Sequence, residues 1–349
     1  MIRMLLERVL ERKLEGMSFP GQVGVTAGET TRAVFAAFGA GARACLRKLG
    51  PPAVAALEAE TPWHRRCFFW EGYAFALAGF HACRFARGNP DGDRIIGHFR
   101  AMHYTGYGFW NGVAMQQHLP RVSLRPERWA SVADYEQLCP LIAGGVGFAV
   151  TGFAGGFSDA VARKLTLQGD PGWTRAAVQG CGRALWFLYM HNVERLEDVV
   201  TAHPEFSDEL AEGIGVAIAF THLATPPAIA AAVERFDRRL HEGLMRGVGL
   251  CLYEVTVEDP RVTPHIDAIA DERLRSAYAL CEQAAREVAV GPGWYWRYAR
   301  FVRARSALAP AGAQSRASGS PSSTAARDRG IRSQGAQSSS LGEPSTSDE

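Results

Sequence analysis

The chain has 349 residues, 47% of them hydrophobic, and a formal net charge of +2 at pH 7. This length and hydrophobic content are sufficient to bury a large core. A charge this close to zero excludes the strongly basic surface that nucleic-acid binding requires, so we expect no nucleic-acid partner.

The N-terminal region, residues 1–30, is predicted to form a capping helix. Leucine and valine alternate with glutamate, arginine and lysine over residues 1–16, which is typical of an amphipathic helix. The apolar segment of a secretory signal would not carry so many charges. The acidic residues also argue against a basic helix lying on a membrane surface.

Through residues 31–260 a glycine-centred string recurs about every 34 residues, an interval typical of stacked two-helix units. The first glycines of the copies are Gly39, Gly72, Gly112, Gly145, Gly180, Gly213 and Gly247. A glycine inside a helix costs about 1 kcal/mol relative to alanine, and close approach of two helix backbones would compensate for it. We therefore predict an all-α fold of about seven two-helix repeats, forming a solenoid or a closed helical ring.

The residue before most of these glycines is polar, namely Glu71, Asn111, Gln179, Glu212 and Arg246. On a helix these positions lie about 100° from the glycines, at the border of the predicted helix contact. A row of this kind indicates either a binding face along a concave surface or the water-exposed edge of each helix.

Two stretches, residues 138–157 and 213–233, contain no charged residue and are long enough to span a membrane. Their prolines and glycines, and their coincidence with the repeats, favour helices buried on all sides within the protein. Membrane association is therefore the minority interpretation. The seven cysteines include no C-x-x-C pair, which favours reduced thiols in a cytoplasmic protein.

The C-terminal part of the repeat domain, residues 261–306, is predicted to contain capping helices. From residue 307 the composition changes to serine, glycine, alanine and glutamine with almost no large apolar side chain. Such a segment cannot bury enough surface to become ordered. We therefore predict one helical domain, residues 1–306, followed by a disordered tail, residues 307–349.

Three strings carry a family resemblance: Phe69-x-Glu71-Gly72-x-Ala74, the run from Gly180 to Phe187, and His203-Pro204-x-Phe206. They resemble a bacterial family of unknown function whose members are encoded near genes for enediyne-type polyketides and other specialised metabolites. The resemblance covers roughly residues 60–255. It implies a natural-product pathway, and it brings no established catalytic residues.

Two of the repeats pair a glutamate with a histidine that lies nine residues after the first glycine: Glu71 with His81, and Glu212 with His222. Ten residues of helix span about 15 Å, so the two members of one pair cannot touch. The functional interpretation is a polar cluster from several helices that acts as general acid or base in a central cavity. The alternative is helix-end hydrogen bonding for the histidines, and contact with solvent or pairing with arginine for the glutamates.

Aromatic and amide side chains supply the candidate substrate-binding residues, because aromatic faces can line an apolar pocket and stabilise positive charge. These candidates are Tyr104, Tyr107, Trp110, Asn111, Gln117, Gln179, Trp186 and Tyr189. The alternative assigns the aromatic side chains to the hydrophobic core.

Neither a nucleotide-binding fingerprint nor a recognised metal-ligand spacing occurs in the sequence, so we expect no cofactor and no metal. We favour an enzyme with an apolar, aromatic-lined pocket, a metal-independent cyclase or isomerase of a polyene- or isoprenoid-like intermediate. The alternative is a non-catalytic helical-repeat scaffold that holds biosynthetic partner proteins.

Overall fold

The structure, a computed structural model, describes residues 19–85, 110, 113, 135–166, 171–288 and 294–308. Regular structure in these residues is helical, and none of them lies in a β-strand, which confirms the predicted all-α class. All of them belong to one compact unit. Most of the predicted N-terminal capping helix and all but the first residues of the predicted tail lie outside the described residues.

Long helices alternate with short ones through most of the described chain. In order, the helices are α1 (Val25–Leu46), α2 (Pro51–Glu60), α3 (Arg66–Phe85), α4 (Tyr135–Ala154), α5 (Asp159–Thr166), α6 (Pro171–Tyr189), α7 (Val193–Ala202), α8 (Ser207–His222), α9 (Pro226–Glu234), α10 (Arg238–Glu258), α11 (Thr263–Asp267), α12 (Glu272–Glu287) and α13 (Trp294–Leu308). Single turns of 3₁₀ helix at Trp63–Arg65, Pro204–Phe206 and Pro260–Val262 lead into α3, α8 and α11.

Proline and capping side chains set several helix boundaries. Pro171 begins α6, where its missing N–H removes no helical hydrogen bond. Asn192 separates α6 from α7, and its side chain accepts a hydrogen bond from the Arg195 amide. Asp237 and Asp271 cap α10 and α12 in the same way. Local sequence therefore determines where these helices start.

Consecutive long helices lie side by side: α1 against α3, then α4, α6, α8, α10 and α12 each against the next. At each of the three successive contacts, α4 with α6, α6 with α8 and α8 with α10, two glycines face each other, at the close helix approach that the sequence predicts. A Cβ added to Gly182 would lie 2.2 Å from the Leu210 carbonyl oxygen, and one on Gly213 would lie 1.9 Å from the Gln179 carbonyl oxygen. Helix backbones approach too closely there for any side chain.

The same reciprocal contact occurs in four glycine pairs. They are Gly41 with Gly72, Gly147 with Gly180, Gly182 with Gly213, and Gly215 with Gly247. In each pair, the glycine faces the carbonyl oxygen of the residue three positions before its partner glycine. This is the geometry of Cα–H···O contacts between helices, which add a small stabilisation to the packing.

Helices α1 and α3 also face α6 and α8 across the interior. The Phe35 and Phe187 ring centroids are 6.4 Å apart, and those of Phe68 and Phe220 are 5.8 Å apart. Farther along, the Trp63 ring stacks on His265 at 3.9 Å. Segments distant in sequence therefore enclose a common interior.

The two uncharged stretches fall on α4 and on α8 with α9. Among the described residues, no helix is both long enough and apolar enough to cross a membrane. Prolines and glycines interrupt both stretches, and much of their length is buried against neighbouring helices.

We expect Gly182→Ala to lower the free energy of unfolding by about 1–3 kcal/mol, because the new Cβ would overlap the Leu210 carbonyl oxygen. Gly182→Leu and Gly215→Leu should lower it further. Urea denaturation measures the effect. The matched control is Gly152→Ala, also in a helix, where an added Cβ meets no described atom within 4 Å. The control should be neutral or stabilising by up to about 1 kcal/mol, and equal losses for Gly182→Ala and Gly152→Ala would contradict the packing argument.

Candidate functional site

A cavity lined mainly by aromatic rings lies between α1, α3, α4, α6 and α8; we call it the aromatic cavity. Its ring-bearing residues are Phe35, Phe38, Phe68, Trp110, Phe148, Phe187 and Phe220. Neighbouring rings meet edge to face, with centroid distances of 4.8 Å for Phe38–Trp110 and 5.9 Å for Trp110–Phe148. Such a wall presents ring faces and edges to an apolar occupant.

Two ionisable side chains, Glu71 and Arg183, also line the aromatic cavity, together with the aliphatic Val34 and Ala217. Arg183 also pairs with Glu254 of α10, with 3.6 Å between Nη2 and Oε2. The side chains of both members of this pair are only 12% exposed. The cavity therefore contains a carboxyl group, Glu71, next to a guanidinium that already has a carboxylate partner.

The Glu71 carboxyl group has a pKa raised to about 8. Burial is the largest cause, because it disfavours the charged form. Arg183 and a hydrogen bond from the Trp110 indole lower this pKa, whereas the charge of Glu254 raises it further. With a pKa of about 8, Glu71 is mostly protonated at neutral pH; Arg183 and the indole favour its carboxylate form, whereas burial and Glu254 disfavour it.

Burial also raises the pKa of Glu254, and the adjacent Arg183 opposes that shift through its charge and a hydrogen bond. The two glutamates therefore differ in their partners. Glu254 has the guanidinium beside it, and Glu71 has the indole and the aromatic cavity. This division between a proton-bearing and an arginine-paired carboxyl group is typical of acid–base sites.

Glu212, predicted as a catalytic residue, lies in a separate network of ion pairs. Its Oε1 atom accepts from Arg246 Nε at 2.9 Å and from Arg303 Nε at 3.1 Å, and its Oε2 atom lies 3.5 Å from Gln179 Nε2. Gln179, predicted to bind substrate, thus contacts Glu212 instead of the aromatic cavity. This network connects α6, α8, α10 and α13. Glu212 is therefore paired with arginines, as the alternative interpretation expected.

His222, the other predicted catalytic residue in this repeat, lies at the end of α8. Its Nδ1 is 3.0 Å from the Ile218 carbonyl oxygen, the helix-end contact that the alternative interpretation expected. Burial lowers the pKa of His222, and the hydrogen bond with Ile218 opposes the shift. Trp186 packs near this ring at 6.0 Å and donates its indole N–H to Thr221 Oγ1 at 3.0 Å.

The structure describes only some of the remaining predicted site residues. Tyr189 donates its hydroxyl hydrogen to the Gly155 carbonyl oxygen at 2.8 Å, away from the aromatic cavity. The backbone of His81 lies in α3, whereas its side chain is outside the described residues. Four further predicted residues also lie outside them: Tyr104, Tyr107, Asn111 and Gln117. Of the described candidates, only Glu71 and Trp110 line the aromatic cavity, and the catalytic and binding roles stay predictions.

Sequence reasoning missed the arginine and all six phenylalanines of this site. Phe148 and Arg183 each lie three residues after the first glycine of their repeat, and Phe187 and Phe220 each lie seven residues after it. Positions separated by four residues share a helix face. Comparing the residues three and seven positions after each repeat glycine would therefore have identified these four residues, whereas Phe35, Phe38 and Phe68 precede the first glycine of their repeats.

No group of three or more histidine, cysteine, aspartate or glutamate side chains within the described part of the chain is arranged to hold a metal ion. The buried cysteines contribute apolar surface. Burial raises the pKa of Cys181 to about 12, with smaller opposing effects from hydrogen bonds, so this thiol is unreactive at neutral pH.

A family model described as protein of unknown function (DUF1702) matches residues 3–220. This match covers more than half of the sequence and includes α1 to α7 and most of α8. No curated protein and no solved structure matches the chain significantly. The family description names no activity, so roles for these residues follow from the geometry of the site.

Because the pKa of Glu71 is higher in the folded protein than its ordinary value of 4.5, folding takes up a proton between pH 4.5 and about 8. Glu71 therefore makes folding less favourable as the pH rises through that interval. We expect Glu71→Gln to remove this loss, so that the variant gains stability relative to the natural protein from pH 5 to pH 8. Urea denaturation at each pH measures it. The exposed Glu272→Gln serves as control, and parallel curves for the natural protein and Glu71→Gln would refute the assignment.

We expect Arg246→Ala to lower the free energy of unfolding by about 3–5 kcal/mol, because it leaves the buried Glu212 without one of its two guanidinium partners. The matched control is Arg286→Ala, which breaks an ion pair with Glu282 in which the arginine side chain is 65% exposed. That change should cost at most about 1 kcal/mol. Thermal or urea unfolding distinguishes the two, and similar small losses would show that the network contributes little.

Proposed function

Because the chain belongs to the DUF1702 family of proteins of unknown function, we propose its activity from the site: the aromatic cavity binds a polyene- or isoprenoid-like molecule, and Glu71 protonates it. The reaction is a metal-independent cyclisation or isomerisation. One observation carries this proposal, namely a carboxyl group with a pKa of about 8 in a cavity whose other lining residues are aromatic or aliphatic except for one arginine.

The environment of Glu71 fits a general acid. Its raised pKa keeps the proton on the carboxyl group at neutral pH until substrate is bound. Arg183 and the Trp110 indole both favour the carboxylate that remains after proton transfer. The same groups therefore assist the transfer itself, because they stabilise the charge that develops on the oxygen atoms.

The aromatic wall is suited to the carbocation that forms after proton transfer. Protonation of a carbon–carbon double bond produces a carbocation, which the faces of aromatic rings attract. Phe38, Trp110 and Phe148 form a continuous edge-to-face group on one side of the cavity. Apolar walls also keep water from capturing the cation before it rearranges.

Helix contacts support a closed ring of two-helix repeats as the architecture that holds the cavity. In an open solenoid each repeat touches only its neighbours. The stacking of Trp63 on His265 and the ion pair between Arg261 and Glu58 connect segments about 200 residues apart in the sequence. We infer that the first and last repeats meet and enclose the interior.

The resemblance to proteins encoded near enediyne-type and other specialised-metabolite genes supports a biosynthetic role, and the absence of a C-x-x-C pair supports the cytoplasm as its location. The scaffold alternative assigns the same helices to binding partner proteins. It would require an extended apolar contact surface. The exposed large hydrophobic residues in the described part of the chain are Val23, Val25, Phe153 and Val257, whereas the rings of the aromatic cavity face its interior. The cavity proposal is therefore favoured.

We expect the purified protein, incubated with farnesol or squalene in D₂O, to form isomers that carry one deuterium on carbon, because Glu71 exchanges its proton for a deuteron before transferring it. Mass spectrometry detects the label. Glu71→Gln should reduce product formation by about 10²–10⁴-fold. Binding is measured separately with retinol, whose fluorescence rises in an apolar cavity.

The matched control for binding is Phe153→Ala, since this phenylalanine is 64% exposed and lies outside the aromatic cavity. It should bind retinol as the natural protein does, whereas Phe187→Ala should alter the affinity. Equal product formation by Glu71→Gln and the natural protein would refute the acid role. Absence of both product and retinol binding would favour the scaffold alternative.

A further inference from the structure

A cleft that the proposed reaction does not use lies between α6, α8 and α13; we call it the arginine cleft. Its volume is about 430 Å³, and small-molecule sites typically have volumes of roughly 300–1,000 Å³. The polar and charged side chains of its lining come from all three helices: Arg175, Gln179, Glu209, Glu212, Arg300 and Arg303. The arginine cleft therefore has room for a ligand and a concentration of charged groups to bind it.

The arginines of this cleft are much more exposed than its carboxylates. The side chains of Glu209 and Glu212 are 2% and 9% exposed. By contrast, the side chain of Arg175 is 51% exposed, that of Arg303 is 27% exposed, and Arg300 is an exposed residue. A ligand that enters the cleft therefore meets guanidinium groups before it meets carboxylates.

Ion pairs hold two of the three guanidinium groups in place. Glu209 Oε1 accepts a hydrogen bond from Arg175 Nη1 at 2.6 Å and lies 2.8 Å from Arg303 Nη1. Arg303 Nε also donates to Glu212 Oε1 at 3.1 Å. The Nη2 group of each arginine donates to no described residue. These groups are therefore fixed in position before binding, which lowers the entropy cost of engaging a ligand.

Arg300 supplies a third guanidinium, and no described residue forms an ion pair or hydrogen bond with it. It lies three residues before Arg303 on α13, so the two side chains share a helix face. The lining thus contains three positive and two negative side chains. Asp208 and Glu242, which pair with Arg246, do not line the cleft. The charge excess within the arginine cleft is therefore positive.

Two other features of the cleft fit a bound anion. The Oε2 atom of Glu209 is buried, and no described residue donates a hydrogen bond to it. An ordered water molecule can satisfy such an atom with one hydrogen and donate the other to a neighbouring anion. Pro171 and Gly172 also bring the N-terminal end of α6, the positive end of its dipole, to the same cleft.

We propose that the arginine cleft binds the phosphate or diphosphate group of a soluble small molecule. A guanidinium group donates two parallel hydrogen bonds to a pair of phosphate oxygens, so several converging arginines suit a group with many oxygens and more than one charge. The cleft and the aromatic cavity share no described lining residue. This second site is therefore independent of the proposed acid role of Glu71.

The test is isothermal titration calorimetry of the full-length protein with inorganic diphosphate at low ionic strength, where screening is weak. We expect saturable binding of one diphosphate per chain. Arg300→Ala should weaken it about tenfold, because a charge-assisted hydrogen bond is lost. Urea denaturation should show unchanged stability for this variant, since Arg300 has no described partner. Ala299→Phe should also weaken binding, because the ring occupies part of the cleft without removing a charge.

The matched control is Arg305→Ala, which removes the same charge from an exposed position of α13 outside the cleft. Its affinity for diphosphate should stay close to that of the natural protein. Equal weakening by Arg300→Ala and Arg305→Ala would show a diffuse charge effect and overturn the site, as would the absence of diphosphate binding by the natural protein. Sedimentation with phosphatidic acid vesicles that diphosphate does not reverse would assign the cleft to a lipid head group and refute a soluble ligand.

Discussion

The close contact between facing glycines is the constraint on which the rest of this structure depends. Each glycine meets a carbonyl oxygen of the next helix three residues before the partner glycine, so neighbouring helices are fixed in both distance and register. Cα–H···O contacts and dense packing compensate for the low helix propensity of glycine. Because the same contact recurs along the chain, equivalent positions on successive helices lie at the same level of the fold.

This shared register determines what faces the interior. Residues three and seven positions after the first repeat glycine lie on one helix face, and in α6 these are Arg183 and Phe187. In α10 the position seven after Gly247 is Glu254, which meets Arg183. This face carries Phe148, Phe187 and Phe220 on α4, α6 and α8, and it also brings a guanidinium and a carboxylate close to Glu71.

Equivalent positions acquire different roles because their neighbours differ. Glu71 and Glu212 each directly precede a repeat glycine. Glu212 lies between Gln179 and Arg246, the residues at the same position on the adjacent helices, and Arg303 from α13 adds a second guanidinium. Glu71 instead has an indole donor and the aromatic cavity beside it. Pairing with two arginines makes Glu212 a structural connection between helices, whereas desolvation makes Glu71 a proton-bearing group.

The sequence by itself determined the helical class, the helix boundaries at Pro171 and Asn192, and the glycines as contact points, because these depend on local propensity and on an interval along one chain. It also singled out Glu71 and Trp110. Only the tertiary structure decided that Glu71 is desolvated, that Glu212 is paired with arginines and that Phe35 meets Phe187. The physical reason is that burial and pairing depend on residues far apart in sequence, which a repeat pattern does not bring together until the helices pack.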